Sequence, residues 1–107
     1  MEIRKFDVFL VSFDPTVGSE IGKLRPAVVI SPDEMNHFLN TVIVAPLTST
    51  KKKYPTRIEI TFEKVQGDIA LDQIRTIDKK RLKKRLSKID ERLHEKICDV
   101  LMRMFGK

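Results

Sequence analysis

The 107 residues (12.4 kDa) are 41% hydrophobic and 34% charged, which fits a single globular domain over 1–107 and excludes both a disordered chain and two independent cores. No apolar run reaches the ~20 residues of a membrane helix; Met1 to Lys5 lacks a secretory signal pattern; one cysteine and two histidines exclude an internal disulfide and an ordinary structural zinc site. The net charge is +6, and it is uneven: residues 1–50 carry −2 and residues 51–107 carry +8, which points to nucleic acid or an acidic protein as partner in a reducing cytoplasm, with no membrane, metal or cofactor expected.

Phe6 to Phe13 is apolar on both alternating faces, as in a strand covered twice. Asp14 to Arg25 (DPTVGSEIGKLR) is a twelve-residue connection punctuated by Pro15, Gly18 and Gly22, and connections of that length tend to carry function. Pro26 to Ile30 resumes as a strand. Ser31-Pro32-Asp33-Glu34 has the pattern of a helix start, with Ser31 as cap and Pro32 at the first helical position. Thr41 to Ala45 is a buried strand that Pro46 should end. A polar, basic loop covers Leu47 to Pro55.

Arg57 to Phe62 alternates, with Ile58, Ile60 and Phe62 inward. Gln66-Gly67-Asp68 is expected to turn, and Ile69 to Ile77 to form one strand. Asp78 is a cap for a short basic turn, and seven of the ten residues Lys79 to Lys88 are basic. Leu93, Ile97, Val100, Leu101 and Met104 lie on one face of a helix that starts at Asp90 and stops at Gly106. Cys98 lies beside that face. The whole is an α+β, mainly β chain: a small, strongly bent antiparallel barrel with short helices and a C-terminal helix.

No glycine-rich phosphate loop, nucleophile elbow, metal-binding histidine pair or Cys-x-x-Cys is present. His37 and His94 read as surface or partly packed side chains. The polar residues worth attention fall in three pieces: Pro15 to Pro26, Ala45 to Thr50 and Leu71 to Asp78. An arginine between a glycine loop and a strand, and a Thr-Ser pair at a strand end, suit the gripping of an anion. Taken alone, Arg25 reads as an ion-pair partner of Asp14 or Glu20, and Thr48 as a turn hydroxyl.

Together, GSE-x-G-x-x-RP before a strand, LTS after the next and DQ-x-RTID late in the chain resemble the MazF/PemK family of toxin endoribonucleases, over most of the chain from Asp7 to Asp78. The resemblance implies a homodimeric, metal-independent nuclease of type II toxin–antitoxin systems. Its substrate would be single-stranded RNA. It would be neutralised by a cognate antitoxin carrying an acidic, disordered segment. Arg25 would transfer protons and stabilise the phosphate, and Thr48 would stabilise the transition state. The products would be a 2′,3′-cyclic phosphate and a 5′-hydroxyl.

Ser19, Glu20, Ser49, Gln73 and Arg75 are the expected substrate contacts. In a continuous strand Asp72 and Gln73 would face opposite ways, and Gln73 shares a face with Arg75. One branch of the family has histidine where this chain has Ser19, and arginine where it has Ala70, so the match is to the branch relying on the Arg25 and Thr48 positions. Lys51 to Lys53 would grip phosphates, and the Lys79 to Lys88 cluster would meet RNA or antitoxin. Tyr54 is a candidate for base stacking, whereas Phe13 reads as core. Two other readings use the same barrel: a CcdB-like toxin that binds gyrase, and an RNA-binding module without catalysis.

Overall fold

A computed structural model describes residues 1–106. The strands are β1 (Val8–Ser12), β2 (Leu24–Val29), β3 (Thr41–Thr48), β4 (Arg57–Phe62), β5 (Val65–Ala70), β6 (Arg75–Asp78) and β7 (Leu82–Arg85). The helices are α1 (Asp33–Phe38) and α2 (Arg92–Phe105), and short 3-10 turns cover Leu71–Gln73 and Lys79–Arg81. All strand pairs are antiparallel, in the order β4-β5-β3-β2-β1-β7, with β6 also paired to β3.

The eight-residue β3 serves two partners along one edge: Thr41 to Val44 pair with β6, and Leu47 and Thr48 pair with β5. Pro46 was expected to end the strand, yet β3 runs through it. The reason lies in the ladder. Val29 N–H donates to Asp7 and Ile30 N–H to Ile43, so the Ala27–Pro46 rung needs no donor from Pro46 toward β2. On its other side Pro46 falls between the β6 and β5 pairings, where a missing N–H costs no ladder bond.

Alternate residues of this sheet feed two cores. Leu47, Ile58, Ile60, Phe62 and Ile69 pack with Ile97 and Val100 of α2. The other face contributes Phe9, Val11, Ala27, Val29, Val42, Val44, Ile77 and Leu82 from five strands, and all are buried. Side chains on one face of a flat sheet cannot all cover each other, so β7-β1-β2-β3-β6 must curl around them. At the far side of the curl β6 and β7 are joined by the Lys79–Arg81 turn and not by a ladder. The expected barrel is therefore a tightly bent sheet that stays open.

Several local expectations give way to the tertiary structure. The hairpin turn falls at Glu63 and Lys64, both at positive φ (48° and 68°), and not at Gln66 to Asp68. Gly67 lies inside β5, where a Cβ would sit 2.0 Å from the Thr48 carbonyl oxygen. The glycine thus marks a close approach of two strands. Ile69 to Ile77 is broken by the 3-10 turn at Leu71–Gln73. Ser31 caps nothing: its buried hydroxyl donates to Asn36 Oδ1 (2.5 Å) and accepts from Ile43 N–H (3.1 Å), and Pro32 occupies the cap position.

Asp78 does cap the basic turn, accepting from Lys80 N–H at 2.8 Å. The strand that follows, β7, has one buried residue in four and no apolar alternation to announce it. It is held by β1, and its lysines suit a sheet edge. The C-terminal helix begins two residues after Asp90, whose carboxylate accepts from Arg92 N–H. Its apolar face is as expected, with Ile97 and Val100 buried and Leu93, Leu101 and Met104 packed beside them. Gly106 N–H closes it on the Met102 carbonyl.

Candidate active site

The first and last residues of the curled strands place the candidate side chains. Ala27 pairs with Pro46; continuing that register by two residues sets Arg25 opposite Thr48. Side chains directly opposite in an antiparallel pair share a face. Arg25, Thr48 and Ser49 all line one open cavity of about 290 Å³, whose remaining wall includes Leu47, Ile60 and Phe62. Residues that lie 23 positions apart in sequence thus meet at one mouth of the sheet.

The hydrogen bonds of the pair leave their reactive edges available. Arg25 Nε donates to the Gly22 carbonyl at 2.8 Å. Among the described residues neither terminal nitrogen has a protein acceptor, and Arg25 forms no ion pair with Asp14 or Glu20. Those carboxylates serve the loop backbone instead: Asp14 Oδ1 accepts from Lys23 N–H (2.9 Å) and Glu20 Oε1 from Val17 N–H (2.6 Å). Thr48 Oγ1 accepts from Thr50 N–H at 3.2 Å, which leaves the hydroxyl proton to donate. Thr48 is 9% exposed and Ser49 is exposed.

Gln73 and Arg75 do not line this cavity; they face the Phe13–Lys23 loop. Gln73 Oε1 accepts from Ile21 N–H (3.3 Å), and Arg75 Nη1 donates to the Phe13 carbonyl (3.0 Å) with its guanidinium 5.8 Å from the Phe13 ring centre. Phe13 itself is fully buried, in line with its reading as core. Ser19 and Glu20 lie on the exposed tip of the loop. The site residues therefore divide into three groups: three at the cavity, two that hold the loop, and two at its tip.

Asp72 points elsewhere. It forms a two-pronged pair with Arg57 (2.6 and 3.0 Å) and accepts from Thr56 Oγ1. Burial pushes its carboxyl pKa up, but the hydrogen bonds from Arg57, the backbone and Thr56, together with the Arg57 charge, outweigh this and hold it below the ordinary carboxylate value. The hydrogen bond to Asp72 likewise raises the Arg57 guanidinium. The break at Leu71–Gln73 separates Asp72 from Gln73, and no strand alternation is involved.

Two residues that sequence reading did not single out shape the second loop at the mouth. Asp68, opposite Thr48 in the β3–β5 register, is 1% exposed; its Oδ2 accepts from Lys52 N–H at 2.8 Å while Oδ1 has no partner. Gly67 lets the Thr48 carbonyl approach β5. An acidic residue after a glycine had the look of a turn, so no sequence signal distinguished this role. Lys51 to Lys53 and Tyr54 are exposed above Asp68, with Lys51 3.8 Å from Glu59 and Arg57 over the Tyr54 ring.

The basic cluster after β6 is partly spent within the fold. Lys79 Nζ donates to the Asn36 carbonyl, Arg81 to the Ser12 and Asp14 carbonyls, and Arg85 pairs with Asp7 (2.6 Å). Lys80, Lys83, Lys84 and Lys88 remain exposed, with Lys83 Nζ donating to the Lys80 carbonyl. His37 is exposed, and His94 stacks on Phe6 at 3.9 Å, so both match the surface or packed reading. Among the described residues no three His, Cys, Asp or Glu side chains stand together as metal ligands, and no helix is long and apolar enough to cross a membrane.

Comparison with known proteins adds a family. Residues 4–105 match the PemK-like, MazF-like toxin of type II toxin-antitoxin system. A MazF from Deinococcus radiodurans is 25% identical and superposes with a TM-score of 0.87, over 100% of this chain and 99% of that one. The same organism's MazE–MazF complex contains a chain 25% identical, with a TM-score of 0.80 over 99% and 97%. A mycobacterial endoribonuclease in complex with its cognate antitoxin shares the fold at 20% identity, with a TM-score of 0.81 over 97% and 95%. With the match running nearly end to end, the chain belongs to the PemK-like, MazF-like toxins of type II toxin–antitoxin systems.

Proposed function

We propose that this toxin is an endoribonuclease that cleaves single-stranded RNA by attack of the RNA's own 2′-hydroxyl. The oxygen attacks the adjacent phosphorus, the bond to the 5′-oxygen breaks, and the products are a 2′,3′-cyclic phosphate and a 5′-hydroxyl. The 2′-hydroxyl loses its proton and the 5′-oxygen gains one. Because the nucleophile belongs to the substrate, the protein's task is to orient it, move protons and stabilise charge. On this reading no metal or cofactor is required.

Arg25 carries the negative phosphorane. A guanidinium is a clamp and a proton donor before it is a base. Its Nε is committed to Gly22, which turns the two terminal nitrogens toward the cavity as a fork suited to phosphate oxygens. Thr48 supplies a hydroxyl donor to the same phosphate. Ser49, Ser19 and Glu20 lie within the surface an RNA strand would cross. The single observation carrying this reading is that Arg25 and Thr48 line one cavity with the arginine's outer edge free.

A cavity of about 290 Å³ is at the small end of the ~300–1,000 Å³ typical of ligand sites. It suits one nucleotide, so recognition of several implies a homodimeric cleft. An antitoxin would cover that cleft with an extended acidic segment that folds as it binds, drawn by Lys51 to Lys53 and the exposed lysines from Lys80 to Lys88. The expected setting is the cytoplasm, where RNA is met.

The deciding experiment incubates the protein with a long single-stranded RNA, with and without EDTA, and maps the new ends. Cyclic-phosphate ends that persist in chelator are expected. Activity that requires magnesium, or tight binding without new ends, would reject the mechanism, and inhibition of gyrase supercoiling with intact RNA would move the chain to the gyrase-binding class.

A further inference from the structure

The root of the Phe13–Lys23 loop is gripped from outside the loop. Ser12, Phe13 and Asp14 present three consecutive carbonyls, and each accepts from an arginine. Arg81 Nη1 donates to Ser12 (3.1 Å) and Asp14 (2.5 Å), and Arg75 Nη1 donates to Phe13 (3.0 Å). Successive carbonyls of extended chain point opposite ways, so the two guanidinium groups hold the strand end from two sides. Arg75 begins β6, and Arg81 ends the turn that leads into β7. Charged donors make the stronger class of hydrogen bond, and here they are spent on backbone more than 60 residues away in sequence.

The grip is transmitted across the loop. Phe13 N–H donates to the Lys23 carbonyl, and Lys23 N–H to Asp14 Oδ1, both at 2.9 Å. One residue back, Gly22 presents its carbonyl to Arg25 Nε, and Ile21 N–H donates to Gln73. The two limbs of the loop touch at Gly22, where a Cβ would lie 2.6 Å from Thr16 Oγ1 and 2.8 Å from Asp14 Oδ1. An unbroken series of hydrogen bonds thus leads from Arg81 through Asp14 and Lys23 to the peptide that orients Arg25. The tip, by contrast, is held only by its own Val17–Glu20 turn.

We infer that Arg75 and Arg81 are positioning residues for Arg25: they fix the loop root, so that the Gly22 carbonyl locks the Arg25 guanidinium with its outer edge toward the phosphate. For Arg75 this replaces direct contact with substrate as its principal role. The catalytic consequence rests on the RNA-cleaving reading above, whereas the clamp itself is a property of the free protein.

The test has one readout for each. In the free protein, Arg81→Ala should raise amide exchange at Phe13, Ile21 and Lys23 by about tenfold or more while the β2 and β3 amides keep their protection. In steady-state RNA cleavage the same variant should lose about ten- to hundredfold in kcat, with KM within about threefold of the parent. Arg81→Lys, which keeps one donor centre, should recover part of both losses. Unchanged loop exchange overturns the clamp. A raised KM with unchanged kcat overturns the positioning role and makes Arg81 an RNA contact. Should the parent protein cleave no RNA, the nuclease reading fails and exchange alone decides the clamp. If Arg81→Ala loses protection throughout, Arg81→Lys and Arg75→Lys carry both measurements: loosened loop amides with a lowered kcat support the positioning role, and parental values in both overturn it.

Discussion

Two loops flank the proposed site, and they are held in different ways. The Phe13–Lys23 loop is fixed at its root by Arg75, Arg81, Gln73 and Asp14, and it is tied directly to Arg25. The Ser49–Thr56 loop is tied at its two ends, by Thr50 N–H to Thr48 and by Thr56 to Asp72 and Leu71, while its lysines rest on Lys52 N–H to Asp68 and a loose Lys51–Glu59 pair. On the proposed mechanism the first orients the phosphate-binding Arg25, where misplacement of an ångström is costly. The second carries exposed positive charge, which on the same reading would attract phosphate without a fixed geometry.

That contrast can be broken at four points. Arg25→Ala should have the largest effect, lowering kcat/KM by roughly 10³-fold or more, comparable with the loss of a main transition-state donor; Thr48→Val should cost about 10- to 100-fold. Rapid-quench cleavage of a defined oligonucleotide measures both, beside a melting curve that should stay near the parent's. Parental rates in Arg25→Ala would remove the first loop from the mechanism.

Gly67→Ala comes next. A methyl group 2.0 Å from the Thr48 carbonyl must push β3 from β5, at a cost of about 1–3 kcal/mol, which corresponds to a drop of roughly 4–8 °C in Tm for each kcal/mol. Cleavage should fall with it because Thr48 rides on the displaced strand. A variant that melts like the parent and cleaves normally would show that the close approach is unimportant.

Replacing Lys51, Lys52 and Lys53 together by alanine should act on binding more than on chemistry. KM should rise, kcat should stay within about threefold, and the slope of log Kd against log salt should shrink by about 0.7 for each phosphate of single-stranded RNA that is no longer neutralised. A large loss in kcat would mean that the second loop, too, positions reacting groups.

The smallest effect concerns Asp72. Its folded-state pKa lies below the ordinary 3.8, so the Arg57–Asp72 pair stabilises the fold fully above that value. The contribution disappears as pH falls through the lower folded pKa. Asp72→Asn should therefore flatten the acid limb of stability below about pH 5, by no more than about 1 kcal/mol for a pair partly open to solvent. RNA cleavage at neutral pH should change little, because Asp72 faces Arg57 and not the cavity. A pronounced loss of activity would reinstate it as a site residue.

The residues themselves made much of this readable. Alternation in Arg57 to Phe62 and the apolar stripe from Leu93 to Met104 reported β4 and α2, because one buried face imposes its period on sequence. The three motif pieces drew attention to Arg25 and Thr48, which line one cavity. What stayed hidden was contributed by neighbours. β7 has a single buried side chain and exists because β1 supplies its ladder. Gly67 had the look of a turn, but the approach of β3 is what requires it. Pro46 looked like a stop, yet the change of partner along β3 makes its missing N–H harmless.

Sequence alone thus determined which faces are apolar, where charge accumulates and which family's functional groups are carried, since these depend on residue type and spacing. Only the folded chain decided which polar groups meet. Arg75 and Arg81 could have been read as free cations for a nucleic acid, and they hold three backbone carbonyls because the curl of the sheet brings the end of β1 to them. Hydrogen bonds between groups more than 60 residues apart leave no local pattern, so their partners emerge only when packing has set the distance.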